Sequence, residues 1–93
     1  MQVRYYDDPR TAQPHIYGHN VTEDEVEDVL DRPMEDRPGQ DGVRVAVGQT
    51  SAGRYLRVIY VPDQIPGSAF VITAYEMGPK AKKALRRRQR TKR

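Results

Sequence analysis

Residues 43–61 read VRVAVGQTSAGRYLRVIYV, and the architecture is decided there. Val43, Val45 and Val47 alternate with Arg44, Ala46 and Gly48, the period-two pattern of a half-buried strand. After the short Ser51-Ala52-Gly53 connection comes Arg54–Val61, so the two runs form a hairpin. The second run is β-branched and aromatic and suits the centre of a sheet. Downstream, the loop 62–68 leads into a third strand over Ala69–Tyr75 (AFVITAY). Upstream, residues 2–6 read as a short strand turned by Asp7, Asp8 and Pro9.

The helices flank these strands. Thr22 and Glu25 form a capping box, with Val21 at the staple position before it. Glu23, Asp24 and Glu25 fill the first turn, where the helix dipole favours acids. Val26, Val29 and Leu30 make one apolar stripe, and Pro33 stops the helix, so it spans 23–31. Pro14 suits the first turn of a short helix running through His19, with Asn20 ending it. Residues 33–42 (PMEDRPGQDG) read as a polar loop. Gly78 and Pro79 precede a last helix, from about Lys80 to Arg88. The order β, (α), α, β, β, β, α predicts one α+β domain over residues 1–93, with a roughly four-stranded antiparallel sheet and helices on one face.

Composition narrows the function classes. The chain has 93 residues, 37% of them hydrophobic, and no cysteine, which excludes a disulfide framework or a thiolate metal site. No apolar run approaches the ~18 residues of a membrane span, and residues 1–20 lack a signal-peptide core, so a cytoplasmic protein is expected. The formal charge of +3 hides a division. From Met77 onward lie nine of the 16 basic residues and none of the 13 acids, which leaves seven basic residues among all 13 acids in residues 1–76. A body of −6 with a terminus of +9 suggests a polyanion or an oppositely charged protein as partner. Residues 22–41 hold nine acids and two Arg. They form either a solvated acidic helix and loop or an acidic face that prevents indiscriminate binding to nucleic acid.

Three segments resemble BrnT-type toxins: Asp7-Asp8-Pro9 with His19-Asn20-Val21-Thr22 and Glu25, Val47–Thr50 with Gly53–Tyr60, and Val71-Ile72-Thr73-Ala74-Tyr75-Glu76 before a basic helix. The last also resembles a neighbouring group of short bacterial proteins ending in Val-Ile-Thr-Ala-Tyr and an Arg-rich terminus. The resemblance implies a RelE-like fold. It also implies an endoribonuclease toxin of a type II toxin–antitoxin pair, with RNA, in some cases ribosome-associated mRNA, as substrate. A cognate antitoxin would then be the protein partner, in a homo- or hetero-oligomer. Two basic residues of the family pattern are missing: Gly18 stands where Lys precedes the helix-ending His, and Tyr75 stands where Arg follows Ser/Thr-Ala. A retained fold with altered catalysis, or a non-catalytic RNA- or ribosome-binding module, is the alternative.

Metal-independent RNA cleavage needs a base for the 2′-OH, an acid for the leaving oxygen and cations for the phosphate. His15 is a candidate acid or base, whereas His19 reads as helix-end packing or capping. With no cysteine and only two histidines, no metal or other cofactor is expected. Strand phase places Val43, Val45 and Val47 under the helices with Arg44 on the open face. It places Phe70, Ile72 and Ala74 under the helices with Tyr75 outward, and Arg57 opposite Leu56 and Val58. Arg44, Arg57 and Tyr75 therefore form the expected RNA-facing set. Arg54 joins through the family's Gly-Arg pair, and Glu76 is a further candidate base. Each tyrosine either packs in the sheet or stacks on a base, a stack being worth about 1–3 kcal/mol. Lys80, Lys82, Lys83, Arg86, Arg87, Arg88, Arg90, Lys92 and Arg93 form the basic tail, either solubilising or in contact with phosphates.

Overall fold

The hairpin lies at the centre of a five-stranded sheet in a computed structural model of the chain, which describes residues 2–91. The elements in chain order are β1 (Gln2–Tyr5), the two-residue strands β2 (Asp7–Asp8) and β3 (Gln13–Pro14), a 3-10 helix (His15–His19), α1 (Glu23–Asp31), β4 (Glu35–Pro38), β5 (Arg44–Gln49), β6 (Tyr55–Pro62), β7 (Ser68–Glu76) and α2 (Pro79–Thr91). The sheet order is β1-β7-β6-β5-β4, with β1 parallel to β7 and the other pairs antiparallel. The α+β class holds, but the sheet is mixed and has five strands. The fifth is β4, in the segment expected to be a loop. Its charged residues and Pro38 fit a sheet edge, where one side of the backbone needs no partner.

α1 forms where its cap predicts. The Thr22 hydroxyl accepts the Glu25 amide at 3.2 Å, and the Glu25 carboxylate accepts the Thr22 amide at 3.0 Å. Val26 and Val29 are fully buried, with Ile16 and Val21 beside them, against Ala46, Leu56, Val58, Val71 and Ala74 of the sheet. Gly48 permits close approach: a Cβ there would lie 3.4 Å from Val29 and 3.5 Å from the Arg32 carbonyl. Thr22→Ala removes one half of the box and is expected to cost about 1 kcal/mol in urea unfolding. No loss would show that the cap is redundant with the packing.

The helices do not share one face. Leu85 of α2 is fully buried with Val47, Tyr55 and Met77, and Met34, Val45 and Ala81 flank it. Those strand residues alternate with the ones under α1, so α2 covers one end of the opposite face. This reverses the expected phase of β5. Val45 and Val47 are packed on the α2 side, while Arg44 pairs with Tyr60 on the α1 side. In β7 a bulge intervenes: Ile59 pairs with Thr73 but Tyr60 pairs with Val71, leaving Ile72 extra. Ala69, Val71 and Ala74 are thereby all buried in the α1 core. Ala74 inward and Tyr75 outward agree with the expected phase, but Phe70 and Val71 exchange faces because the extra residue shifts the alternation. No helix among the described residues is long and apolar enough to cross a membrane.

Candidate functional site

On the α2 side, strand register aligns side chains into rows. Glu35, Val47, Arg57 and Tyr75 are successive cross-strand partners from β4 to β7. Beside them run Arg37, Val45, Ile59 and Thr73. With Pro38 and with Arg88 from α2, these residues other than Thr73 line an open cleft of about 330 Å³. At a strand spacing of about 4.8 Å, the row from Glu35 to Tyr75 spans roughly 14 Å. α2 forms a wall of the cleft. It is seated by Leu85 and by Lys82 and Arg86, whose cationic groups lie 5.4 and 5.3 Å from the Tyr55 ring.

The β4 end of the row is an ion-pair cluster. Arg88 donates to Glu35 through Nε at 2.7 Å and Nη2 at 2.9 Å, and Arg37 donates at 2.5 Å. The Glu35 side chain is only 5% exposed. Arg88 foremost, then Arg37, holds its carboxyl down to about 2 against the opposing effect of burial. Because this pKa is depressed, the stabilisation is fully present above the unfolded carboxylate value. It is lost as pH falls through about 2. A shift of that size corresponds to at most about 3 kcal/mol, and the Arg37 and Arg88 side chains are 58% and 43% exposed, so about 1–2 kcal/mol is expected. The stability gap between wild type and Glu35→Gln should therefore close between about pH 5 and pH 2. A gap independent of pH would mean that the charge of Glu35 contributes nothing.

The β7 end holds aromatic and imidazole rings. β1 stops at Tyr5, the Tyr6 amide caps Val71 at 2.8 Å, and the His15 amide donates to the Tyr6 carbonyl at 2.9 Å. The 3-10 helix packs beside β7 and is closed by Asn20, whose φ is +59°. Asn tolerates this left-handed conformation. The resulting ring contacts are His15 to His19 at 5.2 Å, His19 to Tyr75 at 6.0 Å and Tyr6 to His15 at 6.2 Å. The Arg57 guanidinium lies 6.0 Å from the Tyr75 centroid. Behind His15, Asp8 approaches Nδ1 at 3.4 Å. The Asp8 carboxyl is held below its ordinary value, chiefly by the Arg10 amide and side chain and also by His15.

Arg57, Tyr75 and His15 thus belong to one line of side chains, and the His19 ring packs between His15 and Tyr75 within it. The other expected residues lie elsewhere. Arg44 is bound to Asp36 at 2.9 Å on the α1 side, not beside Arg57. Arg54 is bound to the Asn20 carbonyl, Glu25 and Glu76, so both Arg54 and Glu76 are committed to an ion-pair cluster away from the row. On α2, Lys80, Lys83, Arg86 and Arg87 are exposed and Lys82 is half-buried, and among the described residues only Arg88 of this helix is ion-paired. Lys92 and Arg93 lie outside the described residues.

Glu35, Arg37 and Asp8 are functional candidates that the sequence pattern does not single out, and Arg88 stands out there only as part of the basic tail. The alternation of Glu35 and Arg37 around Asp36 is the signal that could have revealed β4. Among the described residues, no group of three or more His, Asp or Glu side chains is placed to hold a metal ion. Comparison of the chain with protein-family models, curated proteins and solved structures finds no match.

Proposed function

We propose that the protein is a metal-independent endoribonuclease, the toxin half of a type II toxin–antitoxin pair on a RelE-like fold. The observation that carries the chemical part is the unbroken line from His15 through His19 and Tyr75 to Arg57. One imidazole takes the 2′-OH proton as the O2′–P bond forms. The other gives a proton to O5′ as the P–O5′ bond breaks, leaving a 2′,3′-cyclic phosphate and a 5′-hydroxyl. Arg57 offsets charge gathering on the phosphorane oxygens, and Tyr75 holds the chain between imidazole and guanidinium. Asp8 orients His15 through Nδ1. The toxin role rests on the resemblance of the three segments, and an acidic antitoxin would suit the +9 terminus.

Purified protein is expected to cleave single-stranded RNA in the presence of a chelator, to leave cyclic phosphate ends and to spare the 2′-deoxy strand. RNA left intact with and without ribosomes would defeat this reading. Growth arrest on expression, relieved by an adjacent small open reading frame, tests the toxin role. The second reading, a non-catalytic RNA- or ribosome-binding module, is favoured by the commitment of Arg54 and Glu76 to each other. It predicts salt-sensitive RNA binding without turnover, weakened when the exposed Lys80, Lys83 and Arg87 are neutralised while Leu85 is kept.

A further inference from the structure

The cleft contains three guanidinium groups, and two of them are spent on its one carboxylate. Glu35 receives two N–H bonds from Arg88 and one from Arg37. Several guanidinium N–H groups converging on two anionic oxygens are also the arrangement by which arginines hold a phosphodiester. The third guanidinium, Arg57, stands in the same cross-strand row and has no ion-pair partner among the described residues. Between them the floor is Val45, Val47 and Ile59, an apolar surface fit for a sugar or base face.

We infer that this cleft is a phosphodiester subsite for single-stranded RNA running past the His15–Tyr75 edge, and that Glu35 masks it in the free protein. This rests on the RNA reading above. When the strand enters, Arg88 and Arg37 exchange the Glu35 carboxylate for phosphate oxygens. Their side chains are 43% and 58% exposed and can turn, whereas Glu35 is buried and stays. The helix need not leave, because Leu85 and Tyr55 hold it and Gln89 donates to the Met34 carbonyl at 3.1 Å. Glu35 then tunes affinity by competition, and removing this acid should strengthen binding to a polyanion even as it weakens the fold.

The test uses a 2′-O-methyl oligoribonucleotide, which cannot be cleaved through its 2′ position, followed by fluorescence anisotropy between about 50 and 200 mM salt. Glu35→Gln is expected to bind about tenfold tighter than wild type at the lower salt. The slope of log affinity against log salt should steepen by about 0.7 for each phosphate gained. Arg57→Gln should bind more weakly than wild type. A folded Glu35→Gln protein that binds no tighter, or the absence of binding by either protein, overturns the inference. Should Glu35→Gln fail to fold, the Arg88 Nε resonance of the wild-type protein decides. It shifts at saturation if Arg88 changes partner, and an unmoved resonance refutes the exchange. Tighter binding by the variant without cleavage of ordinary RNA would keep the subsite and remove the nuclease. Cleavage without tighter binding would do the reverse.

Discussion

Replacing Arg54 with alanine is expected to lower the unfolding free energy by about 3 kcal/mol and the melting temperature by roughly 15 °C for a domain of this size. Arg54 joins three parts of the chain. Its Nη1 donates to the Asn20 carbonyl at 2.7 Å and to both Glu25 oxygens at 3.0 and 3.1 Å, and its Nε donates to Glu76 at 2.9 Å. The contributions are unequal. Glu76 is 52% exposed, so its share is small. Glu25 is only 22% exposed and is also the second half of the α1 capping box. Burial raises its pKa, and the Thr22 amide with Arg54 brings it below the ordinary carboxylate value. Without Arg54 that carboxylate is left part-buried with its box alone, and the carbonyl that ends the 3-10 helix loses its donor. Lysine cannot replace the guanidinium, because its single nitrogen lacks the planar fork whose Nη1 and Nε reach Glu25 and Glu76 from opposite sides. Arg54→Lys should recover less than half of the loss. Urea unfolding measures both variants, and a loss below about 1 kcal/mol for alanine would show that the cluster is a solvated surface pair.

That cluster also shows where sequence reading stops. The elements with local signals were legible: Thr22 and Glu25 announce α1, and the Val and Tyr alternation announces β5 and β6. Ala74 inward and Arg57 with Tyr75 outward followed from periodicity alone. What alternation cannot say is which face is covered by what. Val45 and Val47 are as apolar as any residue under α1, and they are satisfied by α2, whose apolar strip is only Ala81, Ala84 and Leu85 in a run of cations. Once the last helix covers the second face, Arg44 must turn to the first, where the Asp36 carboxylate accepts from it and from the Tyr60 hydroxyl. The bulge at Ile72 depends on a long-range register that no single segment encodes. The arginine of a Gly-Arg pair and the glutamate ending a strand look alike whether they face RNA or each other. Only the fold brings Arg54 and Glu76, 22 residues apart, to 2.9 Å. His19 was equally ambiguous until the 3-10 helix set it beside Tyr75.

If cleavage takes place at that edge, His15→Ala and His19→Ala should each reduce it by about 10²–10⁴-fold, the usual worth of one positioned proton transfer. The two imidazoles are 5.2 Å apart by ring centroid and share the edge with Tyr75. One must be neutral to accept the 2′-OH proton and the other protonated to donate to O5′. The wild-type rate should then describe a bell against pH. Folding does not confuse the result. His15 has a side chain 35% exposed and His19 is exposed, so neither substitution should cost more than about 0.5 kcal/mol. Asp8→Asn keeps both imidazoles but removes the anion beside His15 Nδ1, so it should cause a smaller loss of rate. Single-turnover cleavage of a short RNA across the pH range measures all of these effects. Both alanine variants cleaving within about threefold of wild type, a difference under 1 kcal/mol in barrier, would move the chemistry away from this edge. The Arg37–Arg57–Arg88 cleft would then have to stand as a binding surface alone.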